Sequence, residues 1–176
     1  MDPNRKLWNR QQQALQRALS RPDEHQKAIE LLLSQHAMVH SAKMARSKLW
    51  SFEDEVWQDT TEEIVRCIPR GCDHSIAWCI WHLARVEDVT MNLLVAGSPQ
   101  LLHRDDWLKR LEPEELKQKV DPARLQRVMA EGAIVEAASG IADYWGKRTV
   151  AELLLMPPTR HNFVHLNEAL CIKHKL

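Results

Sequence analysis

The chain has 176 residues, enough to bury a substantial core within one domain. Lys+Arg and Asp+Glu each total 24, giving a formal net charge of zero and a pI near 7.1. That balance argues against a nucleic-acid backbone or an anionic membrane surface as the main partner, because both need a positive excess, and leaves room only for a local basic patch.

Apolar stretches such as residues 28–33 and 151–156 are far shorter than a bilayer span. The N-terminal MDPNRKLWNRQQQ is polar and lacks the hydrophobic segment of a secretory signal, so the expected location is cytoplasmic. Cys67, Cys72, Cys79 and Cys171 form no C-x2-C pair, and ordinary reduced thiols are expected.

Five glycines, one tyrosine and abundant Leu, Ala, Glu and Gln make a helical composition. No alternating stretch flanked by turn dipeptides suggests a hairpin. The expected fold class is therefore all-α, a four-helix bundle over residues 1–176 with short extra helices in its connections. Residues 1–21 are an N-terminal extension or an extra helix, with Pro3–Ser20 as the helical stretch.

In chain order, the first long helix is expected from about Pro22 to Trp50, with Ile29, Leu32, Leu33, His36 and His40 on one stripe. Residues 59–63, DTTEE, look like a capped helix start that closes at Pro69-Arg70-Gly71. The second long helix runs from about Asp73 to Ala96, capped by Asp73 or Ser75 and stopped by Gly97-Ser98-Pro99. On it Trp78, Cys79, His82, Val86, Val89 and Leu93 share a stripe, with Arg85, Glu87 and Asp88 toward its edges or away from it.

A long connection follows to Asp121, with a brief turn at Glu112-Pro113-Glu114-Glu115. The third helix spans about Pro122 to Trp145 and ends at Gly146. The fourth begins after Met156-Pro157-Pro158, is capped by Thr159, and runs from about Arg160 to His174.

The chemistry concentrates on histidine. His161 and His165 are four residues apart, one above the other on a helix face, as two chelating imidazoles need to be. The glutamate of a metalloprotease H-E-x-x-H is absent, since Asn162, Phe163 and Val164 lie between them. His36 and His40 are a second pair of this spacing and equally weak alone. A lone histidine such as His82 on an apolar face is more often a hydrogen-bonded core residue than a ligand.

Glu168 shares one face with His161, His165 and Ile172 and is a candidate acceptor for an imidazole N–H, with a solvated or capping carboxylate as the alternative. His40 is a second candidate pocket residue, whereas His36 is placed at the pocket mouth or surface. Trp78 and Trp81 are assigned to core packing, and His74 and His103 are given no catalytic role.

Taken together, SIAWCIWHLARVEDVTMNLLVAG and RHNFVHLNEAL resemble the second and last helices of the DinB/YfiT-like superfamily of metal-binding four-helix bundles. The resemblance runs from roughly residue 25 onward. It implies that His82, His161 and His165 hold a divalent ion, zinc or nickel, with water or substrate opposite. Known activities in that superfamily include thiol S-transfer with low-molecular-weight thiols and mycothiol-dependent maleylpyruvate isomerisation. One departure is visible. Where the last helix often carries a further histidine and a Gly-Gln, this chain has Leu166-Asn167-Glu168.

The resemblance thus implies a metal-dependent enzyme with an open three-histidine site, a thiol transferase or a related hydrolase, acting on a small molecule. Catalytic residues beyond the ligands are not assigned, and a homodimer is compatible with this reading. The alternative is a non-catalytic bundle that binds a small ligand or partner protein.

Overall fold

The computed structural model describes residues 2–104 and 148–176. Among them there are helices and no strand. The elements are α1 (Pro3–Leu19), a 3-10 turn (Pro22–Glu24), α2 (His25–Val39), α3 (Phe52–Trp57), α4 (Glu62–Arg66) and α5 (Ile76–Glu87). A π-helical segment (Asp88–Val95), α6 (Leu101–Arg104), α7 (Val150–Leu155), a second π-helical segment (Met156–His161) and α8 (Asn162–Lys173) follow. The expected third helix and the turn at Glu112 lie outside the described residues. Two compact units divide the chain, one of residues 1–83 and 154–176, the other of residues 84–153. No helix of the described residues is long and apolar enough to cross a membrane.

Helix α1 starts where Asp2 accepts the Asn4 N–H at 3.1 Å and Pro3 supplies a preset first turn. Trp8, Gln12, Leu15 and Ala18 recur at helical spacing and are all buried. This face packs on α2, and the fully buried Gln35 amide donates to the Trp8 carbonyl at 2.9 Å.

Helix α2 ends at Val39 rather than near Trp50. His40 turns to an extended conformation (φ −111°, ψ 158°), and the freed chain is caught by α3. The Ser41 and Ala42 N–H groups donate to the carboxylates of Glu53 and Asp54, at 2.8 and 2.9 Å. Its buried face also differs from the expected stripe. Ala28, Gln35, Met38 and Val39 are inside, while Leu33 is 62% exposed. The α1 contact selects that face, and sequence periodicity cannot see it.

Thr61, within the expected capped start at residues 59–63, caps α4 through the Ile64 N–H at 3.3 Å, and Ser75, one of two candidates with Asp73, caps α5 through the Trp78 N–H at 3.1 Å. The stop after Val95 is also as expected. Gly97 adopts φ +60°, which glycine reaches without Cβ strain, and the Ala96 N–H closes an i→i+5 bond to Met91 at 3.0 Å. The wider ladder changes the angular step per residue, so Leu93 falls off the expected stripe and is exposed.

In the second unit, Arg85, expected toward the edge of the apolar stripe or away from it, is buried. Its guanidinium donates to Asp88 at 2.7 Å and to Gln100 at 2.6 Å, and Asp88 accepts the Leu101 N–H at the start of α6 at 2.8 Å. Buried charge is retained because it is paired.

The entry to the last helix also departs from expectation. Thr149 and Glu152 form a reciprocal capping box. Thr149 N–H donates to Glu152 at 2.8 Å and Glu152 N–H to the Thr149 hydroxyl at 3.3 Å. Pro157 and Pro158 therefore do not precede the helix but lie within its π-helical segment. Thr159 does not cap. Its hydroxyl donates back to the Leu155 carbonyl at 2.7 Å, engaging an acceptor in the turn where the prolines lack N–H groups.

The principal core of the first unit gathers Trp8, Met38, Val39, Phe52, Val56, Ile76, Cys79, Leu83, Leu166, Ala169, Leu170 and Ile172. Phe163 joins it by stacking on Trp8, with centroids 4.0 Å apart and 5° between planes, and by meeting Phe52 edge-on at 4.9 Å. Trp8 is wholly buried. Trp8→Ala should therefore cost about 3–5 kcal/mol in urea unfolding, the usual range for a buried large aromatic. A loss below about 1 kcal/mol would show that α1 contributes nothing to this core.

Candidate metal centre

Helix α8 has two faces. Asn162, Leu166, Ala169 and Leu170 point into the core, and Phe163 is held against Trp8. At 100° per residue the remaining stripe is His161, His165 and Glu168. Helix α5 repeats the division, with Ile76, Cys79 and Leu83 in the core and Trp78 and His82 on an adjoining stripe. His82 is thus half-buried at the edge of the core rather than within it.

The two polar stripes meet. Ring centroids are 5.0 Å apart for His82 and His161, 4.6 Å for His82 and His165, and 4.6 Å for His161 and His165. One ligand-capable nitrogen from each imidazole lies within 4.8 Å of the others. Tetrahedral zinc at 2.0–2.1 Å from each nitrogen needs nitrogens about 3.3 Å apart, a separation inside that limit. Among the described residues the group holds three imidazoles and no fourth ligand, the donor set of an open site. His161 closes a π-helical segment, a backbone form frequent at functional sites.

Protonation favours ligation. Burial, reinforced by the nearby His165 and His74, pushes the His82 imidazole down to about 4, so it is neutral at physiological pH with a lone pair to give. Glu168 lies behind His165. Its two oxygens meet His165 Nδ1 at 2.9 Å and His74 Nδ1 at 2.7 Å. Burial works against the charged carboxylate, but the hydrogen bonds from His74 and His165 outweigh it and hold Glu168 below its ordinary range. A carboxylate only accepts, so both Nδ1 atoms donate, and in a neutral His165 imidazole Nε2 is the nitrogen left for a metal.

Cys79 forms a further potential donor group with His165 and Glu168. Burial above all, then the Glu168 charge and a hydrogen bond to it, push this thiol up to about 12, so it stays protonated. Among the described residues the four cysteines are free, as expected.

Two tryptophan and histidine assignments change. Trp78 is 36% exposed and packs between His74 (3.5 Å, 4°) and His82 (4.5 Å, 10°), so it is a stacking partner of the site and not core. His74, given no role from sequence, contacts both Trp78 and Glu168. Its spacing from Trp78 and His82, i, i+4, i+8, was the available signal. His40 stands beside His36 (4.3 Å) with its Nδ1 3.8 Å from Glu53.

The comparisons with known proteins decide the family. The sequence pattern of the DinB superfamily matches residues 47–169. The chain belongs to the DinB superfamily. The match takes in α5 and the histidine-bearing part of α8, and begins after α1 and α2. No curated protein and no solved structure matches the chain.

The depressed His82 pKa has a measurable consequence in the metal-free protein. Between about pH 6.5 and 4 the unfolded chain binds a proton at this position that the folded chain refuses. Stability should therefore rise with pH across that window and lose this contribution to the slope above it. Denaturation of chelator-treated protein at stepped pH checks this, and His82→Gln should reduce the slope there by up to one proton. An unchanged slope would place His82 in open solvent.

Proposed function

We propose that the protein is a metal-dependent enzyme of the cytoplasm, holding a divalent ion, zinc or nickel, on His82, His161 and His165 and joining a small thiol, through its sulfur as nucleophile, to an electrophilic substrate. The observation that carries the reading is the convergence of three imidazoles, one of them held from behind by a carboxylate. Such an ion, when bound, supplies Lewis acidity that lowers the pKa of a coordinated thiol or water.

The chain's own residues do the rest. His165 is held by Glu168 in the tautomer that leaves Nε2 free to donate. Trp78 lies flat against His82 and restricts its ring rotation. Cys79 is buried and protonated, so the attacking sulfur comes from a substrate rather than from this cysteine. Zero net charge accords with a small-molecule substrate over a nucleic acid. Hydrolysis by bound water is the close variant and needs the same three ligands.

The test begins with elemental analysis of protein purified without an affinity tag, followed by a conjugation screen with low-molecular-weight thiols. His161→Ala should abolish tight metal binding, because two imidazoles rarely keep a divalent ion against water. His36→Ala should leave metal content unchanged. Metal lost from His36→Ala but kept in His161→Ala would move the site to α2. Sub-stoichiometric metal under every loading condition, with melting unchanged by chelator, would instead favour a non-catalytic ligand-binding bundle.

A further inference from the structure

We propose that His74 is a positioning residue for the three-histidine site, clamping two of its imidazoles at once: His82 through the face of Trp78, and His165 through the carboxylate of Glu168. This rests on the metal-site reading above.

His74 lies in the turn before α5, between Gly71 and the Ser75 cap. Its ring is stacked on Trp78 almost without tilt, 3.5 Å between centroids and 4° between planes. Trp78 in turn lies 10° from the plane of His82 at 4.5 Å. Three aromatic rings at positions i, i+4 and i+8 thus form one column, and rotating His82 out of it forfeits ring-to-ring contact.

The other arm is polar. His74 Nδ1 donates to one Glu168 oxygen at 2.7 Å, and His165 Nδ1 donates to the other at 2.9 Å. Each oxygen has its own donor, so the carboxylate plane is defined by both contacts. Without His74, one oxygen loses its histidine donor, and the carboxylate is left to His165 and the Cys79 thiol, a less constrained arrangement. His165 would then lose the fixed orientation that a metal ligand requires.

The two arms close a circuit of contacts: His74, Trp78, His82, His165, Glu168 and back to His74. His161 lies outside this circuit but touches both ligand rings, at 5.0 and 4.6 Å. Removing His74 opens the circuit on both sides, while every proposed ligand nitrogen is retained. The proposal is thereby separable from loss of a ligand.

Cobalt(II) is the probe, because its visible spectrum reports ligand geometry independently of turnover. Full-length protein without an affinity tag is titrated against a competing chelator. His74→Ala should weaken cobalt binding about tenfold, the lower end of what removing such outer partners costs, and should broaden or shift the visible bands. His74→Asn offers an amide N–H for Glu168 but no ring for Trp78, and should recover part of the affinity. Trp78→Leu keeps the polar arm and removes the stack, and should alter the bands without abolishing binding.

An unchanged affinity and spectrum in His74→Ala would overturn the proposal. Equal weakening in His74→Ala and His74→Asn, accompanied by a matching fall in melting temperature of the metal-free protein, would also overturn it, by assigning His74 a purely structural role. Failure of the unsubstituted protein to bind cobalt would refute the metal-site reading itself, an outcome distinct from either of these.

Discussion

The structure of the first unit depends on how α8 divides its circumference. Its core stripe is held by Leu166, Ala169 and Leu170, and the Phe163–Trp8 stack sets its rotation about its own axis. Rotation by a single residue would carry His161 and His165 about 100° away from His82. The metal-capable cluster is therefore a consequence of hydrophobic packing on the opposite side of the helix. Helix α1, outside the region matched to the superfamily, supplies Trp8 to that packing.

Both histidine-bearing helices contain π-helical segments close to their histidines. One begins six residues after His82 and the other ends at His161. The second accommodates Pro157-Pro158 within a helix that starts at the Thr149–Glu152 box. Two consecutive prolines remove two donors, and Thr159 engages the Leu155 carbonyl through its hydroxyl. The outcome is that His161 occupies the last residue of an irregular backbone while His165 sits in regular helix.

Around the site, apolar and polar contacts divide the task of orienting imidazoles. Stacking restrains His82, and hydrogen bonding restrains His165. The half-exposed face of Trp78 leaves the cluster bordered by a flat apolar surface rather than sealed in the core. Cys79, one residue further along α5, is sealed and therefore inert. Adjacent residues on one helix thus have opposite fates, set by which stripe each occupies.

By itself the sequence determined the helical class, a capped helix start within residues 59–63, a cap at Asp73 or Ser75, the Gly97 stop and the common face of His161, His165 and Glu168, because these follow from local spacing and backbone chemistry. It also singled out His82, whose proximity to the pair is a long-range fact that only family resemblance made legible in advance. The early end of α2 was hidden, since it depends on Glu53 and Asp54 capturing the turn after His40. The helical passage through Pro157-Pro158 was hidden too, because proline ordinarily terminates a helix and the accommodating ladder is set by packing. Only the tertiary structure placed Trp78 beside the site and gave His74 a partner. A residue in a turn acquires its role from what lies across from it, and Glu168 comes from a helix ninety-odd residues away in sequence.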